Sequence, residues 1–225
     1  HKKQRVLLID LDPQGNATTG SGIDKTAIAT GVYHVLLGEA DIQAAKTRSK
    51  AGGYDLLAAN RELAGAEVEL VQEIAREMRL KNALALVADD YDYILIDCPP
   101  TLTLLTLNGL VAADGVLVPM VCEYYALEGI SDLVATVRKI RTAINPKLGI
   151  FGIVRTLYNN LNRLAQDVSA QLQEHFGAQL FATTIPRNVR LAEAPSHGLP
   201  ALAYDAKAKG TLAYLELADE VLARK

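Results

Sequence analysis

Three aspartates at the ends of hydrophobic runs are the residues of this sequence best suited to chemistry. Asp10 and Asp12 follow the run Val6–Ile9, and Asp97 follows the run Tyr93–Ile96. Parallel strands present their carboxyl ends at one edge of a sheet, where carboxylates repel one another unless a cation is present. Magnesium, held by a few carboxylates, water and phosphate oxygens, suits such a set. A single aspartate there could cap a helix instead, but three together favour a metal and phosphate site.

The elements that must position these aspartates alternate between short apolar runs and longer amphipathic segments. The runs that predict strands are Val6–Ile9, Leu56–Ala59, Tyr93–Ile96, Val116–Val121, Ile150–Val154, Leu180–Ile185 and Ala201–Tyr204. Helical spacing covers Ala66–Val87, Leu104–Ala112, Leu127–Ala143, Leu164–Phe176 and Leu212–Leu222. Continuous apolar strands alternating with helices are typical of an α/β fold. We therefore predict one domain, residues 1–225, with a doubly wound, mostly parallel sheet and helices on both faces.

The amino-acid composition is compatible with this fold and indicates the cellular compartment. Half of the 225 residues are hydrophobic, which is enough for a sizeable core, and the net charge of −3 indicates no general affinity for nucleic acid or membranes. No apolar run is long enough to span a bilayer. Cys98 and Cys122 lack metal-ligand spacing and are expected to be small core residues. A reduced, cytoplasmic setting fits best.

Two classes of phosphate chemistry use acidic strand ends of this kind. A receiver-type phosphotransfer switch would be about half as long and would place a lysine after a later strand. Here the run Ile150–Val154 is followed by Arg155, which disfavours a receiver. A nucleoside triphosphatase would use Asp97 as its Walker-B carboxylate and needs a Gly-x-x-x-x-Gly-Lys-Ser/Thr loop. The segment Gly15–Ser21 copies part of that spacing without the lysine, so we interpret it as a chance match.

Four longer segments resemble one protein family. They are Arg5–Thr18, Tyr93–Pro100, Glu123–Gly129 and Ile185–Pro195. Their order and sequence are similar to those of the ParA/Soj chromosome and plasmid partition ATPases, in the ParA/MinD superfamily. The resemblance runs from Arg5 to the last helix and implies a P-loop NTPase-like fold of the deviant Walker A group.

The resemblance also implies roles for individual residues. Asp12 matches the carboxylate that positions or activates the attacking water, and it shares the metal site with Asp97, which holds magnesium. Pro186 matches the loop that lies against adenine. The residues expected to bind nucleotide are Asp10, Asn16, Glu123, Pro186 and Asn188.

In this family ATP and magnesium close a homodimer, which then binds DNA without sequence preference. A ParB-type centromere-binding protein stimulates hydrolysis and releases the dimer. The resemblance therefore implies a cytoplasmic protein associated with the nucleoid. A MinD-like membrane role is disfavoured because the segment Leu212–Lys225 carries acidic residues and is not a basic amphipathic helix.

The sequence departs from the family where a phosphate-binding loop should precede Arg5. That loop and its strand would supply the amide cradle, the lysines and a hydroxyl ligand to magnesium. A buried strand contributes roughly 6–12 kcal/mol of apolar burial, which is comparable with a domain's whole stability. We expect the natural protein to be longer, and the 225 residues alone to hydrolyse no ATP. The alternative is a non-catalytic homologue that lacks the loop and acts through DNA or protein contacts.

Basic residues are concentrated in the second half of the chain. Residues 133–166 include no aspartate or glutamate but six arginines and lysines. Such a surface suits phosphate contacts without base reading, although a solvated helix face would look the same. Arg190 matches a position implicated in DNA contact in the family, and Arg163 lies two residues from another such position, Leu161. We therefore predict DNA contacts by Arg190 and Arg163.

Overall fold

The computed structural model describes residues 2–224, which divide into two compact units. Unit 1 includes the residues up to Ala113 together with Ala194–Tyr204. Unit 2 includes Asp114–Glu193 and the residues from Asp205 onward. The single domain expected from the sequence stays a prediction.

The strands of residues 2–224 follow most of the apolar runs. They are β1 (Val6–Asp10), β2 (Thr47–Ser49), β3 (Tyr54–Leu57), β4 (Tyr93–Asp97), β5 (Gly115–Val121), β6 (Gly149–Tyr158) and β7 (Leu180–Pro186).

The α-helices lie between these strands and after the last one. They are α1 (Asn16–Gly20), α2 (Val32–Leu37), α3 (Ile42–Ala45), α4 (Leu63–Glu69), α5 (Arg79–Leu84), α6 (Leu104–Ala112), α7 (Ala126–Ala143), α8 (Arg163–Phe176), α9 (Val189–Glu193), α10 (Ala201–Tyr204) and α11 (Lys209–Ala223). Short 3-10 turns cover Leu70–Gln72, Arg76–Met78, Ala88–Asp90, Gly177–Gln179 and Ala194–His197.

The predicted α/β class with mostly parallel strands is confirmed. In unit 1 the strand order is β2-β3-β1-β4, with only β2 antiparallel to its neighbour. In unit 2 the order is β5-β6-β7, and both pairs are parallel. We expected one continuous sheet, whereas the hydrogen-bonded strands of residues 2–224 form two. β4 is an edge strand of the first sheet, and β5 is an edge strand of the second.

Each unit has its own apolar core. In unit 1, Leu7 and Ile9 of β1 are fully buried in a cluster with residues of α2, α4 and α5. In unit 2, alternate residues of β6 face opposite sides of the sheet. Ile153 packs in the cluster formed with α7 and α8, while Val154 packs in the cluster formed with α11. Helices therefore cover both faces of the second sheet.

Three predicted elements differ from the structure. The strand predicted over Leu56–Ala59 begins and ends two residues earlier, as β3. The run Ala201–Tyr204 was predicted as a strand and forms the short helix α10, which starts directly after Pro200. A proline before the first turn favours helix entry, and four apolar residues are too few to reveal a period. The long helix predicted over Ala66–Val87 is interrupted, since Ala75 adopts a positive φ of 52° between two 3-10 turns.

Candidate functional site

The two acidic strand ends lie side by side in unit 1. β1 and β4 are parallel neighbours, and their register pairs Asp10 with Asp97. The ladder continues one residue further, because the amide of Leu11 donates to the carbonyl of Asp97 at 2.8 Å. The structure therefore brings Asp10, Asp12 and Asp97 to one edge of this sheet, as predicted.

Asp10 is fully buried and acts as the anchor of the loop that follows β1. Its Oδ2 accepts from the amide of Thr18 at 2.8 Å and from the Thr18 hydroxyl at 2.7 Å. Its Oδ1 accepts from the amide of Asp12 at 3.1 Å. The Thr18 hydroxyl in turn accepts from the amide of Ala59 at 2.9 Å, directly after β3. Burial raises the pKa of Asp10, while the hydrogen bonds from Thr18 and Asp12 oppose that rise.

Asp12 is held in a tight turn, with its carboxylate less buried than that of Asp10. The amide of Gln14 donates to Asp12 Oδ1 at 2.9 Å, and the amide of Gly15 donates to the Asp12 carbonyl at 2.9 Å. Lys25 closes the turn by donating from Nζ to the Gln14 carbonyl at 2.7 Å. Gly15 is required here, because its φ is +63° and a Cβ would lie 2.8 Å from the carbonyl oxygen of Ala59.

Asp97 has the electrostatic properties of a cation ligand. Its side chain reaches solvent, but partial desolvation of the carboxyl group raises the pKa to about 6, with repulsion from Asp10 and Asp12 adding to the rise. A cation placed there would offset this repulsion. Across residues 2–224, no group of three or more histidines, cysteines, aspartates or glutamates could hold a metal alone. Magnesium commonly takes only one or two carboxylates and completes its shell with water and phosphate, so Asp12 and Asp97 fit it.

The raised pKa of Asp97 predicts a pH dependence of stability. The folded-state pKa of about 6 lies above the unfolded value of 3.8. The protonated Asp97 side chain therefore contributes stability that is fully present below about pH 4. This contribution is lost as the pH rises through about 6, where the carboxyl group ionises in the folded protein. Because Asp97 is exposed, we discount the effect to about 1 kcal/mol. Asp97→Asn should be more stable than wild type at pH 7 and similar at pH 4.

Urea unfolding between pH 4 and pH 8 in metal-free buffer tests this expectation. Asp89→Asn provides the control, because Asp89 is exposed in the same unit and its carboxylate takes part in none of the described hydrogen bonds. Parallel pH profiles for wild type and Asp97→Asn would contradict the predicted effect.

The residue after Asp97 ties this strand end to helix α6. A Cβ on Gly109 would lie 2.7 Å from Cys98 Sγ and 3.2 Å from Leu11 Cδ1, so the helix backbone approaches the strand end closely. Burial raises the pKa of the Cys98 thiol to about 12, and the Asp97 carboxylate contributes to that rise. Cys98 is thus a packing residue without nucleophilic character, and Cys122 is buried in unit 2.

Unit 2 contains a separate crevice at the end of its sheet. It has a volume of about 370 Å³, within the range of small-molecule pockets. Its lining includes Tyr158, Asn160, Pro186 and Lys209. Pro186 therefore lies where a ligand could contact it. Asn188 does not line the crevice, and its side chain accepts from the amide of Arg190 at 3.0 Å.

The remaining predicted nucleotide residues are exposed. Asn16 is the first residue of α1, and its side chain makes none of the hydrogen bonds described for residues 2–224. Glu123 follows β5 and faces solvent. The structure leaves both side chains accessible, and their nucleotide roles stay predictions.

The two predicted DNA residues lie in unit 2 with different surroundings. Arg190 is paired with Glu193 at 2.9 Å and with Asp205 at 3.6 Å. Arg163 is exposed at the start of α8, and its guanidinium takes part in none of the ion pairs described for residues 2–224. Leu161, which matches the family's other DNA-contact position, is 88% exposed. Arg163 is thus the more available of the two arginines.

Comparison with known proteins decides the family. The family model described as "AAA domain" matches residues 1–150. The chromosome partitioning protein ParA of Caulobacter vibrioides is 46% identical over 224 residues, covering 99% of this chain and 84% of the relative. The sporulation initiation inhibitor protein Soj of Bacillus subtilis is 48% identical over 220 residues, covering 98% and 87%. The chain belongs to the ParA/Soj family.

A solved structure supports the same fold for this ParA/Soj chain. The cobyrinic acid a,c-diamide synthase of Mycobacterium smegmatis, with bound ATP analogue and magnesium, is 38% identical with a TM-score of 0.85. The match covers 98% of this chain and 83% of that one. The neighbour's ligands are a nucleotide and magnesium. No helix in the described part of the ParA/Soj chain is long and apolar enough to cross a membrane.

Three residues that shape the acidic turn or line the crevice of unit 2 are not predicted from the sequence. Thr18 bridges Asp10 and Ala59, and Lys25 closes the Asp12 turn, but both contacts depend on the folded loop. Tyr158 lines the crevice of unit 2 at the end of a strand that was predicted to stop at Val154. Only Thr18 lay within a segment already marked by the resemblance.

Proposed function

We propose that this protein is a ParA-type ATPase of DNA segregation, which uses ATP and magnesium to switch its binding of DNA. The observation that carries the proposal is the pairing of Asp10 with Asp97 on adjacent parallel strands, with Asp12 in the turn beyond them. Three carboxylates at one sheet edge, one of them with its pKa raised to about 6, suit a cation and an attacking water.

The three aspartates would have different tasks. Asp97 would hold magnesium, which supplies charge stabilisation for phosphate transfer when bound. Asp12 is less buried than Asp10, and its free oxygen could orient water or accept its proton. Asp10 has both oxygens engaged by the loop, so it would support the site by fixing Asp12 and Thr18 rather than by contacting the ligand.

Within unit 2, the crevice that includes Pro186 has surfaces suited to a planar base. Pro186 and Tyr158 offer apolar surface, while Asn160 and Lys209 offer polar atoms. A planar base needs flat apolar contact and a few hydrogen-bonding groups. Asn16, Glu123 and Asn188 remain candidates for further nucleotide contacts.

We further propose that unit 2 binds DNA without sequence preference, and that a ParB-type centromere-binding partner stimulates hydrolysis in an ATP-closed homodimer. The support is the run of residues 133–166 without acidic side chains and the exposed Arg163. Such a protein would act in the cytoplasm on the nucleoid. Arg190 would release Glu193 and Asp205 to reach a phosphate, so its net contribution should be smaller than that of Arg163.

Arginine replacement tests the DNA surface. Arg163→Ala and Arg190→Ala should each weaken DNA binding. For a given variant the factor should be similar for duplexes of unrelated sequence, because phosphates carry no sequence information. Arg163→Ala should reduce the slope of log K against log salt by about 0.9. Arg190→Ala should reduce it by less, because Arg190 is paired with Glu193 and Asp205. Arg61→Ala, an exposed arginine of unit 1, is the control. Fluorescence anisotropy over a salt series provides the measurement, and unchanged affinity would remove that arginine from the surface.

The ATPase activity itself is tested with the complete protein, with DNA and with a ParB-type partner. Magnesium-dependent hydrolysis that rises with both would support the proposal. ATP-independent DNA or protein binding without hydrolysis would favour the non-catalytic alternative. The 225-residue sequence includes no Gly-x-x-x-x-Gly-Lys-Ser/Thr segment. We therefore expect these residues alone not to hydrolyse ATP, and activity in them would contradict that expectation.

A further inference from the structure

A second, smaller crevice lies in unit 2 at the amino end of strand β6. Its floor is apolar and includes Val134 and Val137 of α7, Ile150 of β6 and Phe176 at the end of α8. Its lining also includes two arginines of α7, Arg138 and Arg141, together with Gly149 and Gln179. The crevice has a volume of about 150 Å³.

This crevice lies away from Arg163 and from the crevice that includes Pro186. Arg163 begins α8 and Phe176 ends it. At 1.5 Å per residue, the two positions are about 20 Å apart along the helix. Pro186 lies at the carboxyl end of β7, whereas this crevice includes Gly149, the first residue of β6. Arg138 and Arg141 belong to the basic run 133–166, but they line this crevice, which lies at the opposite end of α8 from Arg163.

The two arginines at the crevice are accessible to a ligand. Both are exposed, and neither guanidinium takes part in the ion pairs or side-chain hydrogen bonds described for residues 2–224. Their spacing of three residues places them on the same face of α7. Acidic residues on or beside the packed elements include Asp114, which precedes β5, and Glu174 of α8. No aspartate or glutamate is among the described residues that line the crevice. The crevice therefore favours an anionic occupant.

The size and floor of the crevice identify the kind of anion. A small-molecule pocket usually encloses about 300–1,000 Å³, so this one suits a single side chain rather than a whole ligand. An apolar floor offers nothing to DNA phosphates, whose binding depends on charge neutralisation. Arginines beside a pocket that accepts one aromatic or aliphatic anchor are typical of protein–protein hot spots.

We propose that this crevice binds an acidic peptide segment of a partner protein, with one apolar side chain on the floor and carboxylates on Arg138 and Arg141. Bidentate guanidinium–carboxylate pairs would orient the segment. The apolar anchor would supply the affinity that exposed ion pairs lack. The interaction is independent of ATP and of the DNA surface.

A panel of labelled 12-residue peptides provides the test on the complete protein. Each peptide has a central Phe or Leu between two pairs of Asp or Glu, and its reference carries Ser at the centre. We expect saturable binding of the anchored peptides, at least 10-fold tighter than their Ser references. The double variant Arg138→Glu, Arg141→Glu should weaken that binding at least 10-fold. The charge-matched double variant Lys139→Glu, Lys147→Glu should change it less than 3-fold.

Three outcomes would overturn the proposal. Equal weakening by both double variants would indicate general electrostatic attraction without a docking site. Equal affinity for the Phe and Ser peptides would remove the role of the apolar floor. Displacement of the peptide by a 20-bp duplex would assign the arginines to the DNA surface. All four substituted residues are exposed, and an unchanged melting temperature confirms that the variants fold.

Discussion

Replacing Asp10 with alanine is expected to lower the free energy of unfolding by about 2–4 kcal/mol. The carboxylate is fully buried and accepts hydrogen bonds from the Thr18 amide, the Thr18 hydroxyl and the Asp12 amide. Alanine would leave these donors without their acceptor, and an unpaired buried donor costs about 1–3 kcal/mol. Relief of the desolvation of the carboxylate offsets part of that loss. Urea unfolding at pH 7 measures the difference.

Asp24 provides a matched control for this substitution. It accepts from the amide of Thr26 at 2.9 Å and from its hydroxyl at 2.7 Å, the same pair of bonds that Thr18 makes to Asp10. Asp24 is exposed, so water can replace it. Asp24→Ala should therefore lower the free energy of unfolding much less than Asp10→Ala does. Equal losses in the two variants would show that burial of Asp10 does not determine its contribution.

Asp12→Asn is expected to reduce ATP turnover by a factor of about 10²–10⁴ while leaving the fold intact. The amide cannot accept a proton from water and carries no charge for magnesium. Its Oδ1 can still accept from the Gln14 amide, so the turn should persist. Steady-state hydrolysis by the complete protein with magnesium, DNA and a ParB-type partner measures the effect.

The interpretation of Asp12→Asn depends on two further measurements. Nucleotide binding, measured by equilibrium fluorescence with an ATP analogue, should weaken less than 10-fold. This result would show that the variant loses catalysis and not nucleotide binding. The melting temperature should stay within a few degrees of wild type. Turnover within 3-fold of wild type would exclude Asp12 as the residue that activates water.

The core strands could be predicted from the sequence because their side chains carry the information. β1 and β4 are runs of Val, Ile and Leu that end at an aspartate, and their apolar continuity indicates parallel strands between helices. The same logic located β5, β6 and β7. Strand β2 was missed, because Thr47–Ser49 is short, polar and antiparallel, and its pairing with β3 has no local signature.

The site was predictable only in part, for a related reason. The positions of Asp10 and Asp97 follow from where strands end, and that is encoded locally. The roles of Thr18 and Lys25 depend on how residues 12–25 fold back, which no periodicity describes. Likewise, the partners of Arg190 come from α9 and from Asp205, fifteen residues later in the chain.

The contact between Gly109 and Cys98 has a mechanical consequence. Helix α6 contributes no side chain at this contact, and the space for a Cβ on Gly109 is already occupied by the side chains of Cys98 and Leu11. Gly109 has no rotamer that could absorb a displacement of the backbone at Asp97, so only the Cys98 and Leu11 side chains could adjust. Because the packing is close, a displacement at Asp97 is expected to shift the nine-residue helix α6 together with the strand end.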